Sequence, residues 1–197
     1  MIKKLSIIAG VISAFTLTTA FAADGVNAKT GLYLGGGLSM TAFAYHDNEN
    51  HWDLSGGMGS LVPIIGYRFN DHFALEWNYN SLMDDNTDAN GIWGPSHYRL
   101  WTSSLAGKLI QPWSNGFSVY GKAGLAVTHQ DAYSQLIVGT PPMYDVDETV
   151  VQPLLGVGVS YNFTQSTAID LGVSNQFQVG DDIPNIATLM LGLTYTF

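Results

Sequence analysis

The chain has 197 residues, of which 12% are charged, and its formal net charge at pH 7 is −9. This acidic balance argues against a nucleic-acid partner, because surfaces that bind nucleic acid are basic. The absence of cysteine excludes a disulfide framework and thiolate chemistry. A soluble domain usually has about twice this charged fraction, so the composition is unusual for a protein surrounded by water.

The chain begins with the pattern of a cleaved export signal. Lysines near the start precede an apolar stretch at residues 5–17, and Ala20-Phe21-Ala22 has the spacing of a cleavage site. We therefore expect residues 1–22 to be a signal peptide and residues 23–197 to form one mature domain. No later apolar run reaches the length of about 20 residues that a transmembrane helix needs.

From residue 32 onward, apolar and polar side chains alternate at every second position, which is typical of half-buried β-strands. The eight predicted strands are residues 32–45, 60–69, 73–81, 98–110, 117–129, 151–163, 167–178 and 187–197. The connections after the second, fourth and sixth strands are short. Those after the first, third, fifth and seventh strands are long and comprise residues 46–59, 82–97, 130–150 and 179–186. This alternation is typical of an outer-membrane barrel, in which short turns face the periplasm and long loops face outward.

One face of each predicted strand is apolar, and the other carries small, polar and charged side chains. The apolar faces carry aromatic residues near the short turns (Phe69, Phe73, Trp113, Phe117, Phe163 and Phe197) and near the long loops (Trp77, Tyr79 and Trp101). Such pairs of aromatic girdles mark the two membrane interfaces. A soluble barrel would turn its apolar faces inward, but the glycine-rich, charged faces suit a narrow interior. We therefore predict an all-β, eight-stranded antiparallel up-and-down transmembrane β-barrel.

The chain ends on Leu193-Thr194-Tyr195-Thr196-Phe197. Because strand side chains alternate, Leu193, Tyr195 and Phe197 share one face. This ending resembles the C-terminal signature by which the barrel assembly machinery recognises outer-membrane barrels. The resemblance implies that these side chains serve as an assembly signal.

Several runs resemble the membrane domain of the OmpA family of small barrels. These runs are Leu105-Ala106-Gly107-Lys108-Leu109-Ile110-Gln111-Pro112, Val119-Tyr120-Gly121-Lys122-Ala123-Gly124, Val151-Gln152-Pro153 with Gly156-Val157-Gly158-Val159-Ser160-Tyr161, and Leu189-Met190-Leu191-Gly192-Leu193-Thr194-Tyr195-Thr196-Phe197. The likeness covers essentially the whole expected mature chain. Longer members of the family continue into a peptidoglycan-binding domain, which we do not expect here.

The predicted strands place a group of charged side chains inside the barrel. By strand parity, the inward residues are Arg68, Glu76, Lys108, Lys122 and Asp170. A charge that faced lipid would cost about 2–4 kcal/mol near the middle of the membrane, and unpaired charges inside are also costly. We therefore expect Lys108 or Lys122 to pair with Glu76 and Asp170.

The resemblance implies a carboxylate–basic cluster that is sometimes discussed as a gate. Glu76 and Lys108 match its positions, but the family's arginine on the seventh strand is here Asp170, and its glutamate on the sixth is Ser160. The family's pairing is therefore not transferable. A packed polar plug without conduction and a small gated pore both remain open, since eight strands leave an interior that side chains just fill.

The predicted long loops hold most of the acidic residues and most of the histidines. One interpretation is a solvated anionic rim, and another is cation binding or bridging to lipopolysaccharide through divalent ions. Oxygen ligands occur at alternate positions, as calcium requires, in Asp84, Asn86, Asp88 and Asn90. However, His97 stands where a calcium loop has its bidentate glutamate.

An enzymatic function is a weaker alternative. Outer-membrane lipid A deacylases carry a His-x-Ser-Asn arrangement on a late strand, and this chain has Ser174-Asn175 there. The histidine position is Gly172, and a serine without a base is not activated. We therefore expect no enzymatic activity and no cofactor.

Together these patterns predict a non-enzymatic protein of the bacterial outer membrane. Its expected role is structural, within the cell envelope, and small pore activity is a further possible activity of the same barrel. The first alternative is a surface adhesin or ligand-binding protein that acts through its long acidic loops, and the second is a lipid A-modifying hydrolase. The expected partners are outer-membrane lipid, lipopolysaccharide, the assembly machinery and, for the first alternative, an extracellular ligand or host surface. A monomer is expected.

Overall fold

The computed structural model describes residues 28–46, 52–90, 94–135, 137, 142–179 and 185–197. The predicted signal peptide, residues 1–22, lies outside the described residues, as do parts of the predicted long loops.

The described residues form a closed antiparallel barrel. Its strands are β1 (Gly31–His46), β2 (Trp52–Arg68), β3 (Phe73–Thr87), β4 (Ser96–Pro112), β5 (Phe117–Ser134), β6 (Tyr144–Asn162), β7 (Thr167–Gln176) and β8 (Asn185–Thr196). Each strand pairs with its neighbours in the chain, and β1 pairs with β8 to close the sheet. The predicted fold class is thereby confirmed. Within the described ranges, no helix is long and apolar enough to cross a membrane.

Three short connections lie at one end of the barrel, here called the turn end. After β2, the Asn70 side chain accepts a hydrogen bond from the His72 backbone at 2.8 Å. After β4, Asn115 and Gly116 adopt positive φ angles of 63° and 81°, which asparagine and glycine tolerate best. After β6, the Thr164 hydroxyl accepts backbone hydrogen bonds at 3.2 and 3.0 Å. Side-chain hydrogen bonds thus support the first and third reversals, and residues that tolerate positive φ support the second.

Most strands run farther toward the opposite, loop end than the sequence predicts, whereas β7, predicted to end at residue 178, ends at Gln176. The predicted loops at residues 46–59, 82–97 and 130–150 are wrong in extent, because β2 begins at Trp52, β3 ends at Thr87, and β5 and β6 pair as far as Ser134 and Tyr144. The outward positions of β5 and β6 in these segments carry Asp131, Asp145 and Asp147, so the apolar outer face that marks a membrane strand is missing there. A membrane strand needs about 9–11 residues, whereas β6 has 19. The hairpins therefore project beyond the apolar zone.

The apolar faces point outward, as predicted. Leu61 is 78% exposed and Leu38 61%, whereas Ala126 and Thr128, which face inward, are 0% exposed. Aromatic rings at the turn end contact one another on this outer face, among them Phe117 and Tyr161 with ring centroids 4.6 Å apart. The outer surface is therefore suited to lipid, and the polar side chains occupy the interior.

Candidate functional site

Glu76 is the centre of a buried polar cluster inside the barrel. Its carboxylate forms an ion pair with Lys122 and accepts hydrogen bonds from Tyr33 Oη at 2.9 Å and from Asn78 Nδ2 at 3.2 Å. Lys108 Nζ lies 3.8 Å from Glu76 Oε2, the oxygen that also accepts from Tyr33. Since Glu76 is only 3% exposed, protein groups supply its solvation in place of water.

A second ion pair adjoins the first. Lys108 Nζ donates to Asp170 Oδ1 at 2.6 Å, and the same ammonium lies 3.9 Å from the centroid of the Tyr120 ring. Lys122 Nζ lies 5.4 Å from that centroid. Two lysines and two carboxylates therefore neutralise one another, as the sequence led us to expect. These charges, with Tyr33 and Tyr120, are called the ion-pair layer below.

Arg68 occupies a different place from the other inward charges. It is the last residue of β2 and is partly exposed near the turn end. In the described part of the chain, Arg68 forms no salt bridge, and Asp170 pairs with Lys108 instead. The structure thus joins Glu76, Lys108, Lys122 and Asp170, and leaves Arg68 at the edge of their cluster.

Glycines make room for the two tyrosines of the ion-pair layer. A Cβ at Gly66 would overlap the Tyr33 ring, and a Cβ at Gly158 or Gly172 would overlap the Tyr120 phenol. Neither tyrosine was among the predicted site residues. The sequence did contain a signal for them. Each tyrosine occupies an inward-facing position of its strand, and a neighbouring strand carries glycines at inward-facing positions.

A layer of hydroxyl and amide side chains lies toward the loop end from the ion pairs. Thr102 Oγ1 donates to Gln176 Oε1 at 3.1 Å, and Thr128 Oγ1 donates to Gln152 Oε1 at 2.7 Å. Thr102, Thr128 and Gln152 are at most 3% exposed. This hydroxyl–amide layer is neutral and is satisfied largely by its own hydrogen bonds.

Beyond these hydroxyls, apolar side chains close the interior near the loop end. The side chains that do so form a cluster, called the apolar collar below, in which each is at most 5% exposed: Phe43, Leu82, Leu100 and Ile186. Along β4, Lys108 belongs to the ion-pair layer, Thr102 to the hydroxyl–amide layer and Leu100 to this apolar collar, so the layers follow that order. The collar was not predicted, although its residues have inward parity.

The residues of the predicted cation site divide between strand β3 and the segment that follows it. Asp84 and Asn86 lie on β3 rather than in a loop, so their predicted location was wrong. Asn86 Nδ2 donates to Asp84 at 3.1 Å, and Arg99 Nε lies 3.6 Å from the same carboxylate. Asp88 and Asn90 follow the end of the strand. In the described part of the chain, no three His, Asp or Glu side chains are arranged to hold a metal ion.

Histidines and carboxylates meet on the outward face of the projecting strands. His97 Nε2 lies 2.9 Å from Asp131 Oδ1, and His97 stacks on the Tyr133 ring at 5.6 Å. His129 Nδ1 lies 2.9 Å from the Thr149 hydroxyl. These groups belong to an accessible polar surface, since His97 and Asp131 are 39% and 38% exposed.

The remaining predicted residues lie apart from this surface. Ser174 faces inward opposite Gly156, whereas His97 and His129 face outward, so these histidines do not stand beside it as bases. Leu193, Tyr195 and Phe197 share the outward face and are 54%, 50% and 57% exposed. Their position fits an assembly signal, which stays a prediction.

Comparison with known proteins agrees with this architecture. A family model described as "Outer membrane protein beta-barrel domain" matches residues 7–197. An uncharacterised protein of Coxiella burnetii is 28% identical over an alignment of 192 positions, and the match covers 82% of this chain and 75% of the relative.

Solved structures share the fold at low sequence identity. The attachment invasion locus protein Ail of Yersinia pestis is similar with a TM-score of 0.59 and 15% identity, covering 86% of this chain and 100% of Ail. Ail in complex with the heparin analogue sucrose octasulfate gives a TM-score of 0.51 at 14% identity, covering 85% and 97%. The N-terminal barrel of Pseudomonas aeruginosa OprF gives 0.52 at 14% identity, covering 85% and 100%. The resemblance to small OmpA-type barrels is thereby confirmed, and the chain belongs to the family of outer-membrane protein β-barrel domains.

Proposed function

We propose that this protein is a non-enzymatic structural component of the outer membrane whose barrel does not conduct in its resting state. The observation that carries this proposal is the presence of two stacked barriers, the ion-pair layer and the apolar collar. A water-filled channel past these layers would leave their side chains accessible. Glu76, Lys108, Lys122 and Asp170 are instead 3–8% exposed, and the collar residues are at most 5% exposed.

The two barriers oppose ions by different means. The ion-pair layer blocks the path because opening it separates buried opposite charges, which is costly in a low-dielectric interior. The collar presents no group that replaces an ion's hydration shell, so an ion that passes it must shed water without compensation. Pore activity would therefore require both layers to move.

Single-channel recording of the refolded protein, residues 23–197, tests this proposal. We expect a silent bilayer for the unmodified chain and for Glu76→Ala, in which the collar remains. Leu82→Ala with Leu100→Ala should also stay silent, since the ion-pair layer remains. Combining the three substitutions should give openings. Leu105→Ala, at a lipid-facing position that is 51% exposed, is the matched control. Discrete openings of the unmodified protein would contradict the proposal.

The projecting hairpins favour a second function, binding at the cell surface. Asp131 on β5 and Asp145 and Asp147 on β6 face outward at the loop end. Ail shares the fold and is found with a sulfated heparin analogue, but an acidic face repels such a polyanion. We infer that a ligand of these hairpins is positively charged, or is bridged by divalent cations to the anionic groups of lipopolysaccharide.

Removing the hairpin separates binding from folding. Deleting residues 131–148 should abolish attachment to cells or to a cationic peptide, while heat-dependent gel mobility still reports a folded barrel. Asp131→Asn with Asp145→Asn and Asp147→Asn keeps the hairpin and removes its charge. Retained binding by both variants would exclude this surface as the binding site.

The C-terminal face supports a proposal about biogenesis. We expect removal of the signal at residues 1–22, recognition of Leu193, Tyr195 and Phe197 by the assembly machinery, and a monomeric barrel in the outer membrane. Phe197→Ser should lower the amount of folded protein in outer-membrane fractions, whereas Thr196→Ser, on the opposite face, should not. Equal yields would remove the assigned role of Phe197.

A further inference from the structure

Strand β6 loses one of its two hydrogen-bonded neighbours before it ends. It pairs with β5 as far as Tyr144, but its ladder with β7 ends at the pair Leu154 and Gln176. Within the described residues, no other strand pairs with β6 on the side of β7. Residues 144–152 are therefore paired on one side only, and this segment is called the β6 edge below.

A proline accounts for the end of the ladder between β6 and β7. The Pro153 carbonyl accepts a hydrogen bond from the Phe177 backbone at 2.9 Å, so the backbone of Pro153 is directed toward β7. Proline has no N–H to donate in return, and an antiparallel ladder loses a hydrogen bond there. Pro63 stands at the corresponding place on β2, where the ladder with β3 ends at Ile64. Both β2 and β3 continue toward the loop end, however, whereas β7 ends at Gln176.

The backbone of the β6 edge presents free hydrogen-bonding groups on this unpaired side. Alternate residues of a strand direct their N–H and C=O groups to the same neighbour, so the residues with the parity of Pro153 face the unpaired side. They are Asp145, Asp147, Thr149 and Val151. Among the residues that the structure describes, none forms a backbone hydrogen bond to these groups. A row of unpaired N–H and C=O groups is a template on which another extended chain can add as a strand.

The side chains of the β6 edge determine which chain can add. Asp145 and Asp147 are exposed beside the unpaired backbone, and Asp131 of β5 lies opposite Asp147. Opposite charges stabilise a pair of strands, whereas like charges that face each other destabilise it. A second copy of the β6 edge would bring further carboxylates beside these three and is therefore disfavoured. A strand with lysine or arginine at alternate positions is complementary to them.

We propose that the β6 edge binds an extended cationic peptide segment by antiparallel strand addition. The lysine or arginine side chains lie opposite Asp145 and Asp147 on the outward face, and the backbone groups of the same residues exchange hydrogen bonds with the edge. The antiparallel direction is the more stable one for each residue paired. This proposal rests on the surface binding proposed above, and it assigns the ligand a conformation as well as a charge.

Two methylated peptides distinguish strand addition from attraction between charges. The probe is a fluorescent peptide that alternates lysine and threonine, and anisotropy measures its binding to the refolded protein in phosphatidylcholine vesicles. In the proposed pairing, the lysine N–H groups face β6 and the threonine N–H groups face away. N-methylation at the lysines should therefore weaken binding by about tenfold or more. N-methylation at the threonines, which keeps the same charge, should have little effect.

The outcomes separate this proposal from the one on which it rests. Equal affinities for the two methylated peptides would overturn strand addition and leave binding by charge standing. Absence of binding by the unmethylated peptide would overturn both. A preference for the peptide that is methylated at its threonines supports the proposed pairing.

A substitution at Thr149 tests the β6 edge from the side of the protein. Thr149→Pro removes an N–H from the unpaired side and leaves the hydrogen bonds to β5, which the residues of the other parity make. Thr149→Val is the matched control, because it keeps the N–H and removes the same hydroxyl, which contacts His129. Heat-dependent gel mobility reports whether each variant folds. We expect weaker binding of the unmethylated peptide to Thr149→Pro alone, and equal binding to both folded variants would overturn the proposal.

Discussion

Glu76→Gln is the sharpest perturbation of the barrel interior. The substitution preserves size and shape but removes the carboxylate that pairs with Lys122 and accepts from Tyr33. The remaining charges are Lys108, Lys122 and Asp170, so the layer changes from neutral to a net positive charge. Lys122 is 8% exposed, and solvent therefore cannot replace its lost partner.

The expected loss of stability follows from this burial. Removing one partner of a buried ion pair costs about 3–5 kcal/mol, because the other charge remains buried and unpaired. Each 1.4 kcal/mol changes an equilibrium constant about tenfold. The equilibrium ratio of folded to unfolded protein should therefore be lower for Glu76→Gln than for the unmodified protein by at least about two orders of magnitude.

The assay is reversible urea unfolding of the refolded protein in lipid vesicles, followed by tryptophan fluorescence. A double-mutant cycle with Lys122→Met isolates the interaction from the effect of each single substitution. Because Glu76→Gln with Lys122→Met removes both charges, the double variant should recover most of the stability that either single variant loses. A loss below about 1 kcal/mol for Glu76→Gln, as for an exposed pair, would refute the reasoning, and so would strictly additive losses in the double variant.

Three further predictions test the packing, the lipid face and the outer surface. Gly35→Ala should destabilise the barrel by about 1–3 kcal/mol, because a Cβ there would lie 2.8 Å from the Thr194 side chain. Gly36→Ala is the control in the same unfolding assay. It should be tolerated, because the atom nearest to a Cβ at that position lies 3.9 Å away. Leu105→Arg should cost about 2–4 kcal/mol by placing a charge against lipid, and Leu105→Val should stay near wild type; equal midpoints would mean that this face does not contact lipid. Asp131→Asn should cost less than about 1 kcal/mol, since its contact with His97 is exposed, and a larger loss would show that the hairpin surface is structural.

The strands and their faces were predictable because lipid and a narrow interior impose opposite demands on alternate residues. The same parity placed Glu76, Lys108, Lys122 and Asp170 inside, and charge complementarity predicted that lysine would pair with carboxylate, but not which lysine takes which partner. Local periodicity suffices to place each side chain on the inner or the outer face, since that placement depends on one strand and its orientation.

The ends of the long strands and the interior apolar collar were not predictable in this way. Near the loop end the outward positions of β5 and β6 carry carboxylates in place of apolar side chains, so the contrast between the two faces is lost in the sequence, although the ladder continues as far as the pair Ser134 and Tyr144. Phe43 and Ile186 come from β1 and β8, which are far apart in sequence, and their contact requires the closed barrel. The roles of Tyr33 and Tyr120 likewise depend on glycines of other strands.

The distribution of charge separates the part of the molecule that maintains the fold from the part that is free to vary. Inside, two lysines balance two carboxylates, so the acidic excess of the whole chain is carried elsewhere. Replacing an interior partner costs about 3–5 kcal/mol, whereas an exposed carboxylate such as Asp131 contributes about 1 kcal/mol or less. Substitution on the projecting hairpins can therefore change the charge of this surface without threatening the barrel. For this reason a shared fold with Ail does not imply a shared ligand, and the surface binding that we propose follows from the sign of the hairpin charge and not from the fold.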